Sequence, residues 1–225
     1  MLGLQFDTSA CTIAMPPVKI AKARRLVQLT YHNAVASVHQ LHSLLGSLRH
    51  VATCIRAARP FLQRLRFRCD SASRHRNLVV TDDMRQDIIW WWQILHTPVL
   101  NGVPMRYFHS LPTRDVVVEM DASDYGLCAL DTRRRRYFTY AFSQAEKQLI
   151  DEFKRTHDNA FNINYRELLS AALAVLLWGE QWSLLGQDDQ LHVHFRIDNT
   201  SAIAWQTKMC SRNSRAQVLL RVLGH

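Results

Sequence analysis

The sequence has no C-x-x-C pair and no cluster of cysteine and histidine at zinc-ligand spacing. Its five cysteines, Cys11, Cys54, Cys69, Cys128 and Cys210, are scattered. That speaks against a zinc module and for ordinary reduced thiols in an intracellular protein, cytoplasmic or nuclear. A basic segment followed by an apolar one, the mark of a secretory signal, is missing from the N-terminus. The longest apolar run, Leu168 to Trp178 broken only by Ser170, is shorter than the roughly 18 residues of a membrane span. No membrane partner is therefore expected. Internal repeats and low-complexity segments are also lacking.

What the chain does have is enough apolar material for a core. With 225 residues and 48% hydrophobic content, it fits one large or two small domains. Its charge is divided unevenly. Residues 1–110 carry 14 Lys and Arg against 5 Asp and Glu, 14 − 5 = +9, whereas residues 111–225 carry 14 against 14. An excess confined to one half suits a surface that grips phosphates, and a merely solubilising basic surface fits it equally well.

Periodicity changes along the chain. Leu2, Leu4 and Phe6 alternate before the turn-forming Asp7-Thr8-Ser9, so the chain opens on a strand or hairpin. From Pro16 to about Val35, Ile20, Ala23, Val27 and Tyr31 recur at helical spacing, with Lys19, Lys22, Arg24 and Arg25 forming a basic face. Ser37 and Gln40 have capping-box spacing ahead of a stripe running from Leu41 to Ile55. Pro60 ends that helix or restarts a turn, Cys69 to Leu78 reads as a polar loop, and Asp83 with Gln86 caps a helix that Pro98 stops. We expect a helical region over 1–97, a linker over 98–113 and a second domain over 114–225.

In that second domain the period shifts to 2. Asp115 to Asp121 reads as a buried strand, Tyr125 to Leu130 and Tyr137 to Phe142 complete an antiparallel meander, and Asp131 to Arg135 makes a turn. Arg133 to Arg136 read as a solvated hairpin tip, and the tryptophans Trp90 to Trp92, Trp178 and Trp182 as packing residues. The segment before Asn164 receives no element. A helix from Asn164 to about Leu184, a strand from Leu191 to Ile197 and two short helices near 201–207 and 214–223 follow. The fold class is α/β (α+β), a helical region followed by a mixed sheet with flanking helices.

Asp121 and Asp198 each close an apolar strand. If those strands are parallel neighbours, both carboxylates emerge at one sheet edge, where open α/β sheets place their ligands. Glu167 near the start of the intervening helix can lean over that edge. Three carboxylates there suit two hard cations about 3.5–4 Å apart in phosphodiester cleavage. Taken singly, Asn164 with Glu167 is a capping-box spacing and each Asp a turn residue.

These residues resemble the ribonuclease H domains of retroelement reverse transcriptases. Met120-Asp121-Ala122-Ser123-Asp124-Tyr125-Gly126 is similar to their first-strand motif, Asn164-Tyr165-Arg166-Glu167-Leu168-Leu169 to their helix motif, and Arg196-Ile197-Asp198-Asn199-Thr200-Ser201-Ala202 to their fourth-strand motif. With Ser211-Arg212-Asn213, the likeness is greatest to the DIRS/Ngaro group. The first half resembles the region after the polymerase palm. Leu2 to Asp7 with Met15 to Lys19 is similar to the primer grip, and Leu44 to Leu48 with Ala58 to Leu62 to the thumb and connection helices. No Y-x-D-D polymerase motif is present.

The resemblance implies a ribonuclease H-like sheet and metal-dependent cleavage of RNA in RNA–DNA hybrids by Asp121, Glu167 and Asp198, holding two Mg²⁺ or Mn²⁺ ions and no small-molecule cofactor. Lys19, Lys22, Arg24, Arg25, Asn199, Arg212 and Asn213 would touch the hybrid or a template–primer duplex, and the rest of the reverse transcriptase would be a partner. The family's fourth metal-binding Asp follows a further strand that is not reached by His225, so the last strand-helix unit is expected to be missing and cleavage by this chain alone weak or absent. The alternative is a non-catalytic remnant that binds template–primer duplex.

Overall fold

A computed structural model describes residues 3–73, 76–109, 113–184 and 191–224. Leu2 of the expected opening strand, part of the expected polar loop and residues 110–112 of the expected linker lie outside them. The fold is α/β, and the chain divides into two compact units, Met1–Leu111 and Pro112–Leu223.

In the first unit, strands β1 (Gln5–Asp7) and β2 (Thr12–Ala14) form an antiparallel hairpin. Asp7 closes its turn by accepting the N–H groups of Ser9 and Ala10 at 2.9 and 2.8 Å. Helix α1 (Pro17–His32) starts on a proline, whose missing N–H costs nothing at a helix N-terminus. It stops short of Val35 because strand β3 (Val35–Ser37) follows. Helix α2 (Val38–Val51) has the expected capping box, with Ser37 Oγ accepting from Gln40 N–H and Gln40 Oε1 from Ser37 N–H. The residues around Pro60 form a 3₁₀ turn, Arg56–Leu62, and lead into α3 (Gln63–Asp70).

The expected polar loop contains strand β4 (Asn77–Val79), antiparallel to β3. Thr81, not Asp83, precedes helix α4 (Asp82–Leu95). Much of the expected linker belongs to this unit. Strand β5 (Val103–Pro104) pairs with β2, and the Asn101 amide both accepts from and donates to the backbone of Met15 at 2.9 Å. One apolar cluster fills the interior, with Leu41, Leu44 and Leu48 of α2 against Ala23 and Val27 of α1 and Ile88 and Trp91 of α4.

The second unit opens on the meander β6 (Val116–Ala122), β7 (Gly126–Asp131) and β8 (Arg136–Ala141). At the tight β6–β7 turn, a Cβ on Gly126 would collide with the Tyr140 carbonyl oxygen, so only glycine fits. Helix α5 (Gln144–Thr156), for which the sequence pattern gives no element, begins at a Ser143/Glu146 capping box. Helix α6 (Ile163–Ser183) is capped by Asn162, whose Oδ1 accepts the Tyr165 N–H at 3.0 Å. The chain then crosses to β9 (Val193–Arg196), parallel to β6, and ends in α7 (Thr200–Lys208) and α8 (Ser214–Gly224). The sheet order is β8-β7-β6-β9.

Alternation decides which strand residues are covered. Val116, Val118 and Met120 are buried against Ala171, Ala174, Trp178 and Trp182 of α6. On the other face, Tyr137 and Leu130 are exposed and Glu119 pairs with Arg196 at 2.6 Å. The arginine tip is not simply solvated. Arg134 and Arg136 lie 3.3 and 3.1 Å from Asp131 Oδ2, an atom that also accepts the Trp182 indole N–H at 3.2 Å, and Asp131 is fully buried. Arg136 further stacks over Trp178, 4.8 Å from its ring centroid. A buried carboxylate needs such partners.

Candidate active site

Parallel pairing of β6 with β9 sets the geometry of the candidate site. Glu119 is opposite Arg196, an offset of 196 − 119 = 77 residues, and Asp121 and Asp198 keep the same offset, 198 − 121 = 77. Asp121 near the end of β6 and Asp198 two residues past the end of β9 therefore follow the last strand pair toward the same end of the sheet, both exposed to solvent. Glu167 approaches from α6. It is 2% exposed, and its Oε1 accepts the Ala122 N–H at 3.1 Å, tying the carboxylate to the residue after Asp121.

The other oxygen, Glu167 Oε2, is buried without a hydrogen-bond partner. A carboxylate oxygen in that position is costly unless a cation or proton meets it. Its electrostatics agree. Burial pushes the Glu167 carboxyl up to about 7, the Ala122 N–H opposes the rise, and the charges of Asp198 and Asp121 add to it. Carboxylate oxygens, one of them unsatisfied, are the donor type that hard divalent cations take. The three are not drawn into a ready coordination shell, however: among the described residues no group of three or more His, Cys, Asp or Glu side chains is close enough to hold a metal ion. Without a cation such carboxylates repel one another.

Two clamps hold this edge. Asn199 Nδ2 donates to Asn164 Oδ1 at 2.8 Å, and Asn199 Oδ1 caps α7 by accepting the Ala202 N–H at 2.9 Å. That fixes the segment carrying Asp198 to the start of α6. On the other side, buried Arg166 donates to the Ser123 carbonyl and to Asp124 Oδ1, the latter at 3.0 Å, and Lys154 of α5 reaches Asp124 Oδ2 at 2.6 Å. The Lys154 hydrogen bond, then that of Arg166, hold the Asp124 carboxyl below the usual carboxylate range. Arg166 thus pins the turn whose Ala122 N–H orients Glu167. Asp124, Lys154 and Arg166 are not among the expected site residues. Asp124 and Arg166 lie inside the quoted motifs, but Lys154 stands on a helix that the pattern does not reveal.

The expected nucleic-acid contacts separate into two groups. Lys19, Lys22, Arg25 and Arg212 are exposed. Arg24 instead donates through Nε and Nη2 to the Leu95 carbonyl at 3.0 and 2.5 Å, joining α1 to α4. Asn213 is likewise engaged, accepting the Ala216 N–H at 3.0 Å and donating to the Ala160 carbonyl at 2.7 Å. Among the described residues no helix is long and apolar enough to cross a membrane. No family model, no curated protein and no solved structure matches this chain.

Proposed function

We propose that the second unit is a ribonuclease H-like, metal-dependent phosphodiesterase acting on the RNA strand of RNA–DNA hybrids. The observation that carries this reading is buried Glu167, with an unpartnered oxygen and within electrostatic reach of both Asp198 and Asp121 at the end of the β6–β9 pair. Asp121, Glu167 and Asp198 would hold Mg²⁺ or Mn²⁺. Two such ions, when bound, supply an activated water and charge stabilisation at the leaving oxygen. The chain's own part is to present the ligands. Ala122 N–H aims Glu167, the Asn164–Asn199 bond steadies the Asp198 segment, and Arg166 holds the Ser123–Asp124 turn.

The excess of +9 in residues 1–110 supports a nucleic-acid partner for the first unit. Exposed Lys19, Lys22 and Arg25 on α1 are its proposed phosphate contacts. Reverse transcriptase ancestry of the whole chain, and assembly with the remainder of such an enzyme, belong to the same reading. Incubation of the full chain with a labelled RNA–DNA hybrid tests it. Cleavage of the RNA strand that requires Mg²⁺ or Mn²⁺ and is abolished by Asp121→Asn supports it. Mn²⁺ binding that is unchanged in both Asp121→Asn and Glu167→Gln sinks it, whatever the turnover.

A further inference from the structure

Three consecutive tryptophans on α4 have three different environments. Trp90 stacks on Phe61 at 3.5 Å between ring centroids, and Trp91 is fully buried with its indole N–H donating to the Phe61 carbonyl at 3.3 Å. Trp92 is 39% exposed. Its ring is packed against His96 at 4.2 Å, and it forms one wall of an open trough of about 340 Å³ between α1 and α4. Val27 and Ile88 make the floor, and Tyr31, His32 and Ile89 complete the walls. A volume near the lower end of ligand pockets, about 300–1,000 Å³, admits one planar ring system.

The rim states the charge of what would enter. Arg25 stands three residues before Gln28 and seven before His32, on the same strip of α1 as these two trough residues. It is exposed, and so is Lys22, three residues earlier on that helix. Arg85, 5.9 Å from the Tyr31 ring centroid, is occupied in donating to the Tyr31 and Asn33 carbonyls. Helix α1 contains no acidic residue. On α4, Asp87 is buried against Arg64, while Asp82 and Asp83 are exposed in its first turn, at the end of the trough away from Trp92, with Asp82 4.0 Å from Arg85. An aromatic trough with cations along its edge is complementary to a flat aromatic ring carried on an anionic chain.

The geometry points to a single-strand site on the first unit: an unpaired nucleobase stacks in the trough against Trp92 and Tyr31, while its flanking phosphates lie along Arg25 and Lys22. The base must be unpaired, because a duplex keeps its ring faces stacked on one another. Sequence preference is weak, since every base offers a π face. The site shares no residue with the carboxylate edge of the second unit.

Fluorescence anisotropy of the full chain with a labelled oligothymidine strand, against an abasic strand of equal length and in EDTA to suppress cleavage, tests this. The wild type binds the oligothymidine about 5- to 100-fold tighter than the abasic strand. Trp92→Ala abolishes that preference and leaves the salt dependence unchanged, whereas Trp92→Phe restores much of it, which separates stacking from a folding defect. Arg25→Ala keeps the preference and flattens the salt slope by about 0.7. Equal binding of the two strands by the wild type overturns the inference, and so does a preference that survives Trp92→Ala. Displacement of the oligothymidine by an uncharged apolar peptide but not by unlabelled oligothymidine also overturns it. The base preference persists in Asp121→Asn, so failure here leaves the phosphodiesterase reading standing, and the reverse holds.

Discussion

Among the described residues the first unit buries two polar side chains, Thr30 and Asp87, whereas the second buries four, Asp131, Arg166, Glu167 and Ser170. The net charge runs the other way, +9 over residues 1–110 and zero over residues 111–225. Charge on a surface is solvated and costs little, while charge in an interior must be paired or is expensive. The first unit therefore keeps a single continuous apolar core and wears its cations outside. The second divides its apolar residues among three clusters and buries three ionic side chains, Asp131, Arg166 and Glu167. Two of its four buried polar residues, Arg166 and Glu167, belong to the candidate site.

The largest effect that sharpens this comparison is at the two most buried tryptophans. Trp91→Ala and Trp182→Ala each remove a side chain that is at most 1% exposed, and each is expected to cost about 3–5 kcal/mol. Phenylalanine separates the units. Trp91→Phe loses a hydrogen bond to a neutral carbonyl, at about 0.5–1.5 kcal/mol, whereas Trp182→Phe takes a donor from buried Asp131, at about 1.5–3 kcal/mol. Urea unfolding of the four variants measures both. Equal cost for the two phenylalanine variants would mean that Asp131 does not depend on the indole.

Glu167 supplies the next effect, of opposite sign. Its carboxyl is raised to about 7, above its value in an unfolded chain. The stability it contributes is therefore full in acid and is lost as pH rises through about 7. A shift of that size corresponds to about 3 kcal/mol. Glu167→Gln should remove this decline and make the metal-free protein more stable near pH 8, while lowering Mn²⁺ affinity. Thermal unfolding in EDTA across pH 4 to 8 reads it, and an unchanged pH dependence in Glu167→Gln would place the burden elsewhere.

Much of this contrast is legible in the residue pattern alone. The meander and α6 stand out because a period of 2 gives way to a longer apolar helix, and the three carboxylates fall in order at strand and helix ends. Strands β3, β4 and β5 do not, since two or three residues carry no period and their partners are distant: Val35 pairs with Val79, and Ile13 with Val103. Helix α5 is hidden because it buries only Ile150, although Ser143 and Glu146 have the spacing that reveals α2. Asn164 has the spacing of a cap, but the helix starts one residue earlier and Asn162 does that work. The burial of Glu167 arises from elements that meet only in the fold, so no local pattern signals it. The grip of Arg134 and Arg136 on Asp131 lies within one hairpin, but the Trp182 indole that shares the carboxylate comes from the distant α6.

Asp131 gives a smaller effect than Glu167 and reverses its pH dependence. Burial alone would raise its carboxyl, but the Trp182 indole, the Arg134 N–H and the Arg136 guanidinium outweigh burial and hold it below the usual range. Its contribution is therefore present above the unfolded value, about 3.9, and is lost as pH falls through the still lower native value. Asp131→Asn should cost about 1–3 kcal/mol at neutral pH and reduce the acid sensitivity of the second unit. Because Arg134 and Arg136 remain about a quarter exposed, the loss stays below that of a fully buried pair. Hydrogen exchange of β6–β8 between pH 3 and 7 follows the second unit alone, and a variant as acid-sensitive as the wild type would contradict the network.

The smallest effect compares the two capping boxes, one in each unit. Ser37 and Ser143 both accept the N–H of the third helical residue, at 3.2 and 3.3 Å, and the partner side chain returns a bond of 2.8 Å in each case. Alanine at either serine should cost about 1 kcal/mol. The partners differ in kind. Gln40 is neutral, whereas Glu146 is a carboxylate at a helix N-terminus, where negative charge is favoured, and it also accepts from Tyr140 Oη at 3.1 Å. Burial raises the Glu146 carboxyl, but the Ser143 hydroxyl and N–H and the Tyr140 hydroxyl hold it below its ordinary value. Its support for α5 is then present above the unfolded glutamate value and is lost as pH falls. Ser143→Ala should thus cost less in acid than at neutral pH, while Ser37→Ala costs the same throughout. Amide exchange in the first turns of α2 and α5, at about pH 4 and pH 7, distinguishes them. A pH-independent loss in α5 would show that the glutamate caps it no better than a glutamine does.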